Sequence, residues 1–413
     1  MAREAETRRK TATRGEPTEG LWRWVYYAFF FLLPVLAVVA PKSVVILLLA
    51  AALLSLIALW QTRATPPWGR LDRTLALGLG MLLLWSALAS LWTFDPSRSL
   101  VLSVRITCLF LAALVLQAIV AGIRDEAVRR HLGLSLLAGL CLALGIMIVE
   151  LAFGFPLGYA IRGAEDLAAD PPVWLNRGAT ACAILCWPAA FVLWREASKW
   201  AAAAFLAVAL GVLSLLSSLA AIFGILAGGF VAIFAIRFPN SARHLLVAAT
   251  LAAVVGSPIL GQVSYKLEWQ TASWLPFSAQ HRVEIWHFTA ERIAERPLAG
   301  WGSDSARAMK RVATGAEKTG RSAVALHPHN APLQILLELG LVGVAIALGL
   351  AWLLIRRIEA LPAPGRAFAQ AAYVSTLAIA CTAYGMWQNQ WLALMACAAI
   401  AIGVTCARAR PAS

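Results

Sequence analysis

Apolar runs of bilayer length alternate with short polar segments along almost the whole chain. They fall near residues 22–40, 43–60, 74–92, 100–120, 132–152, 177–194, 200–217, 219–236, 245–263, 333–355, 367–385 and 391–406. About twenty apolar residues wound as an α-helix cross a hydrocarbon core. The pattern therefore predicts an all-α, polytopic membrane protein with about twelve transmembrane helices. The block 200–237 is too long for one untilted span, and its polar Ser217-Ser218 pair predicts a tight hairpin. Two polar intervals, 153–176 and 264–332, are too long to be simple turns. Inside the second, Val283, Trp286, Ala290 and Ile293 recur on one face. This spacing predicts an amphipathic helix over 281–296, ended by Pro297 and the Gly300-Trp301-Gly302 turn. The chain thus divides into a basic tail (1–21), nine helices (22–263), a large loop (264–332), three helices (333–406) and a short tail (407–413).

Composition agrees with lipid as the main solvent. Of the 413 residues, 61% are hydrophobic and 14% charged, against about a quarter charged in a soluble domain. A cytosolic enzyme, a secreted disulfide scaffold and a disordered chain are excluded. The net charge of +14 would suggest nucleic acid in a soluble protein, but here its placement gives another reason. With the N-terminus inside, 21 of the 35 Lys and Arg fall on the cytoplasmic side and 13 outside, with Arg105 within a span. Nine of the 13 belong to the large loop, leaving four in short outer loops. That asymmetry is the positive-inside rule, and it predicts cytoplasmic termini and an outward-facing large loop. The first twenty residues lack the apolar core of a cleaved signal. All seven cysteines sit in apolar stretches, which points away from disulfides and thiolate metal sites.

Polar groups that work on a polar substrate are expected where spans meet the outer loops. Arg177 opens the sixth run in VWLNRGAT, Arg282 opens the surface helix in SAQHRVEIW, and His327, His329 and Asn330 sit in ALHPHNAPL before the tenth. Each also has an ordinary structural role open to it. Arg177 and Arg105 can snorkel, Arg282 can be a solvated cation, and the histidines can be surface residues. Glu150 and Glu338 lie near outer helix ends, where Glu338 can be a buried hydrogen-bond partner. Two histidines one residue apart without a third ligand nearby do not make a metal site.

Together these residues form a pattern. His329-Asn330 is followed by Gly340-x-x-Gly343 at the entrance of a helix, and Arg282 lies upstream in an R-x-x-x-W helix followed by PLAGWG. The arrangement resembles the O-antigen ligase and O-antigen polymerase superfamily, and the resemblance covers almost the whole chain. It implies a GT-C-like fold and a metal-independent, cofactor-free, inverting glycosyltransferase of the bacterial inner membrane, with its site facing the periplasm. The donor would be a glycan on undecaprenyl diphosphate and the acceptor, for a ligase, lipid A-core oligosaccharide; membrane lipids are the remaining partners, and nucleic acid is not one. The resemblance carries the family's histidine onto His329 and its two arginines onto Arg282 and Arg177, with His327 and Asn330 as orienters. Many relatives have Ser-Arg where this chain has Ser217-Ser218, so another cation, Arg105 or Arg321, is expected to serve. The large loop holds nine Lys and Arg against six acids, and Lys310 and Arg311, with Lys318 and Arg321, are positioned to attract an anionic core. A polymerase of the same superfamily is the alternative reading, and a twelve-helix transporter or flippase the reading from another class.

Overall fold

Each of the twelve apolar runs becomes one helix in the computed structural model, which describes residues 22–62, 67–163, 171–307, 309 and 327–407. In chain order these are α1 (Trp22–Val39), α2 (Ser43–Gln61), α3 (Arg73–Leu88), α4 (Pro96–Val120) and α5 (Glu126–Ala152). A short α6 (Pro156–Arg162) follows, then α7 (Asn176–Glu196), α8 (Lys199–Ser214), α9 (Leu219–Arg237) and α10 (Pro239–Lys266). The last four are α11 (Phe277–Glu295), α12 (Ala331–Glu359), α13 (Gly365–Ala380) and α14 (Asn389–Thr405). There is no strand among the described residues. Eight of the helices are long and apolar enough to cross a membrane; α3, α8 and α14 are shorter apolar helices. The chain is an all-α polytopic membrane protein.

The predicted hairpin at Ser217-Ser218 is present between α8 and α9. The amphipathic helix starts a turn earlier than its apolar face implied, at Phe277, because Pro276 precedes it in extended conformation. Pro fixes an entry φ and lacks only an N–H that a helix start leaves unused. In the 153–176 interval, buried Glu150 ends α5 and accepts hydrogen bonds from the N–H groups of Leu157 and Gly158, both at 2.8 Å. Its carboxylate caps α6 at the end where the helix dipole is positive.

The most buried helix is α7: residues 178–192 are buried almost without interruption. Its small residues let neighbours approach, as is usual where lipid gives helices no hydrophobic reason to associate. A Cβ on Gly178 would lie 2.7 Å from the Cα of Val38 in α1. Polar contacts fasten the same post. Trp187 Nε1 donates to Ser375 Oγ at 2.7 Å, and Ser375 Oγ donates to the Gly224 carbonyl at 2.7 Å, joining α7, α13 and α9. At the far end, buried Arg129 of α5 donates through Nη2 to the carbonyls of Gly403, Val404 and Ala407. That end of α14 has carbonyls without helical partners.

Helix α12 is broken. Gly340 has φ 62° and ψ −163° and is buried, so the residues on either side lose helical hydrogen bonds that must be replaced. Segment 297–302 supplies the missing partners. The N–H groups of Trp301 and Gly302 donate to the carbonyls of Leu337 and Glu338, at 2.8 and 2.9 Å. The N–H groups of Leu341 and Val342 donate to the carbonyls of Pro297 and Leu298, at 2.8 and 3.3 Å. Trp85 Nε1 takes the Leu339 carbonyl at 2.9 Å. A Cβ on Gly300 would lie 2.5 Å from the Glu338 carbonyl carbon, and one on Gly340 would collide with the Leu298 carbonyl. The PLAGWG and Gly340-x-x-Gly343 motifs are thus two halves of one device, a helix break and its backbone patch.

Candidate functional site

The histidine segment is held from three directions before α12 begins. Asn330 is the N-cap: its Oδ1 accepts from the Leu333 N–H at 3.0 Å, and its Nδ2 donates to Ser257 Oγ of α10 at 3.1 Å. Asn330 is buried and supports the loop from beneath. Trp286 of α11 donates through Nε1 to the Pro328 carbonyl at 2.9 Å. The third hold comes from the α13–α14 link. His329 adopts φ 52°, a left-handed conformation that costs a residue with a Cβ on the order of 1 kcal/mol or more. In that conformation its Nδ1 lies 2.9 Å from the Ala383 carbonyl. A carbonyl only accepts, so Nδ1 carries the proton and Nε2 presents its lone pair.

His327 is buried beside it, the ring centroids 4.2 Å apart. Its Nδ1 lies 3.3 Å from the His329 backbone nitrogen and its Nε2 lies 2.7 Å from the Gln388 side-chain amide. Gln388 Nε2 faces His327 Nε2 and donates to it, while the Gln388 amide oxygen accepts from Gln390 Nε2 at 3.1 Å, so Nε2 is the accepting ring nitrogen. His327 is in this way a strut between the loop and the link.

The electrostatics separate the two rings. Burial pushes His327 down to about 3, helped by His329 and then by the charges of Arg307, Arg177 and Arg282. His329 is also lowered from its usual value, chiefly by burial and further by Arg282 and His281, against the raising effect of the Ala383 contact. Both rings are therefore neutral near pH 7, in a strongly positive surrounding. Burial lowers Arg282 as well, and a guanidinium so shifted is still charged near neutrality. No carboxylate neutralises Arg177 or Arg282 among the described residues.

Arg177 lies in the first turn of α7. Thr180 Oγ1 donates to the Arg177 carbonyl at 2.8 Å and lies 2.7 Å from the Tyr384 hydroxyl. Tyr384 stacks on Trp391, with centroids 4.5 Å apart. Ser217 Oγ donates to Asn176 Oδ1 at 3.2 Å, which puts the α8–α9 turn beside Arg177. The structure thus gathers Arg177, Arg282, His327 and His329 at one end of the bundle, with Asn330 beneath them. Arg105 stands apart, exposed on α4, and no contact among the described residues links it to the histidines. Lys310, Arg311, Lys318 and Arg321 lie outside the described residues.

Two parts of the site escaped the sequence reading. One is the link 382–390, TAYGMWQNQ, part of which had been counted with the eleventh apolar run. It supplies the Ala383 carbonyl, Tyr384 and Gln388, while a Cβ on Gly385 would lie 2.6 Å from the His327 ring. Its polar and glycine content was a signal available in the sequence. The other is the Gly302–Arg307 segment, whose Asp304 N–H donates to Glu338 Oε2 at 2.7 Å. Glu338, fully buried, also accepts from Gln334 Nε2 at 3.0 Å and Trp387 Nε1 at 2.6 Å. It is the hydrogen-bond partner expected, and it ties the loop, α12 and the link together.

Comparison with known proteins agrees with this geometry. The O-antigen ligase family matches residues 202–348, a stretch that holds Arg282, both histidines and the break at Gly340. A protein of Rickettsia conorii is 31% identical over 228 residues, 53% of this chain and 54% of the relative. Proteins of Rickettsia felis and Rickettsia bellii are 27% and 29% identical over 319 and 318 residues, covering 75% of each chain. All three carry the provisional name polysaccharide ligase. The chain spans about half the length of the first and three quarters of the other two. Over residues 202–348 the chain is similar to the O-antigen ligase family, and over longer stretches to these relatives.

Proposed function

We propose that this chain is an O-antigen ligase, a glycosyltransferase that moves a glycan from undecaprenyl diphosphate to lipid A-core oligosaccharide at the periplasmic face of the inner membrane. The observation that carries the reading is His329, whose Nδ1 is anchored to a carbonyl while Nε2 is left to accept a proton, beside arginines that no carboxylate neutralises among the described residues. An acceptor hydroxyl on Nε2 loses its proton to the ring as its oxygen forms a bond to the anomeric carbon. The bond from that carbon to the diphosphate oxygen breaks, with inversion, and the diphosphate departs with the bonding electrons. Arg177 and Arg282 are the clamps for that charge: guanidinium groups stay protonated and grip phosphate oxygens in pairs. In this reading the end bearing the histidines faces the periplasm, and the tails 1–21 and 407–413 lie in the cytoplasm.

The chemistry needs no sealed compartment, which distinguishes it from transport. Purified protein in detergent, with lipid-linked glycan and rough lipopolysaccharide, is expected to form the conjugate with a chelator present. His329→Ala and Arg282→Ala are expected to lower the rate at least a hundredfold at unchanged expression, since each removes a group acting in the transition state. Full-length lipopolysaccharide ladders made by either variant in a ligase-null strain would overturn the proposal. A polymerase would instead lengthen the lipid-linked glycan without the rough acceptor.

A further inference from the structure

Arg307 was not among the residues singled out by the sequence, yet it stands on the stiffest part of the large loop. The Ser303 side chain donates to the Ser86 carbonyl at 2.8 Å, and Thr93 Oγ1 donates to the Ser303 carbonyl at 2.9 Å. Gly302 and Asp304 are tied to Glu338 through their own N–H groups. Ala306 and Met309 pack against Phe288 of α11 and Leu337 of α12. The segment is therefore bonded to α3, the turn after it and α12, and packed on α11.

Asp304 divides its carboxylate between two cations. Oδ2 accepts from Arg98 Nε at 2.8 Å, and Oδ1 accepts from Arg307 Nε at 3.0 Å. One negative charge between two guanidinium groups leaves a net positive bracket. The Nε–H is one of five guanidinium donors, so the bond to Asp304 leaves the Nη groups of Arg307 as further donors. The bracket is near the histidines: the Asp304 N–H and Trp387 Nε1 both donate to Glu338 Oε2, at 2.7 and 2.6 Å, and Gln388, the next residue of the link, holds His327 at 2.7 Å. The charge of Arg307 accordingly opposes protonation of His327, as do those of Arg177 and Arg282. Three guanidinium groups, carried by α7, α11 and the loop segment, thus lie around the His327–His329 pair.

Resting on the function proposed above, we infer that Arg307 is a third cation for the diphosphate of the donor, and that Asp304 is the positioning residue that fixes its guanidinium. The donor diphosphate carries two negative charges, and the leaving diphosphate gains a third as the glycosyl bond breaks, one more than Arg177 and Arg282 match. A third planar cation on a rigid mount completes the set without a metal ion. Asp304 has the role of aiming Arg307, and Arg98 keeps that carboxylate from neutralising Arg307 fully.

The test uses the full-length protein in detergent, with binding and transfer measured separately. Undecaprenyl diphosphate, undecaprenyl monophosphate and phosphatidylglycerol are the binding probes. Arg307→Ala is expected to weaken undecaprenyl diphosphate binding about tenfold and to raise the donor KM without changing the acceptor KM. Arg307→Lys is expected to recover part of this, and Asp304→Asn to lie between wild type and Arg307→Ala. Lys199→Ala, which removes a cation at the opposite end of α7, is the control expected to bind as wild type. Unchanged diphosphate binding in Arg307→Ala, at an unchanged melting temperature, overturns the inference. So does an equal loss for phosphatidylglycerol, which would mark a general anionic-lipid contact. If Arg307→Ala unfolds, Arg307→Lys and Asp304→Asn decide by the same binding measure. Should wild type bind the diphosphate yet transfer nothing, the proposed reaction fails while the binding result still judges Arg307.

Discussion

His329 works, in the proposed reaction, only while its ring is neutral. The groups facing it set the pH at which that ends. Burial comes first, then Arg282 and His281, and all three lower its proton affinity from the usual 6.5, while the Ala383 carbonyl raises it. A base with a lowered value is unprotonated above that value and lost as pH falls through it. The transfer rate is therefore expected to be flat above about pH 6.5 and to fall with unit slope at lower pH. His327, pushed to about 3, contributes nothing in that range. Arg282→Gln removes a like charge and is expected to move the acidic limb upward as well as slowing the reaction. A limb that stays in place in that variant, measured as kcat against pH, would separate Arg282 from the histidine.

Elements are where the sequence was most and least informative. Helix α12 shows both. Its existence followed from an apolar run, which is a local signal. Its break at Gly340 did not, because a helix interior tolerates glycine, and only segment 297–302 across the fold makes an interruption affordable at a buried position. The link 382–390 was absorbed into a neighbouring run for a related reason: its purpose is to contact residues some fifty positions upstream. The break is testable on its own. Gly340→Ala puts a Cβ against the Leu298 carbonyl at a left-handed φ, with an expected cost of several kcal/mol when strain and lost backbone pairing combine. Trp85→Phe removes one hydrogen bond to the same region and is expected to cost about 1 kcal/mol. Melting temperatures in one detergent should rank wild type, Trp85→Phe and Gly340→Ala in that order. A Gly340→Ala protein as stable as wild type would mean that the break is optional.

At the scale of the whole molecule, the fold places its chemistry at one end of the bundle, and the direction of that end is a question of charge. The basic residues that bear on it are spread over many short loops: Arg195, Lys199, Arg237 and Arg243 lie at the end opposite the histidines. Each is a weak signal, but the K/R bias acts as a sum, and for this reason the sequence predicts an orientation. The bias predicts that the Lys199 end is cytoplasmic and that the 297–302 patch is outside. Leu298 is 68% exposed on that patch, and Lys199 starts α8 at the other end. In a cysteine-free background, Leu298→Cys is expected to react with a membrane-impermeant maleimide in cells whose outer membrane alone has been opened. Lys199→Cys is expected to react only after the inner membrane is opened too. The reverse order would place His329 and its arginines in the cytoplasm, where a donor glycan already delivered to the periplasm cannot reach them, and the proposed reaction would fall with the topology.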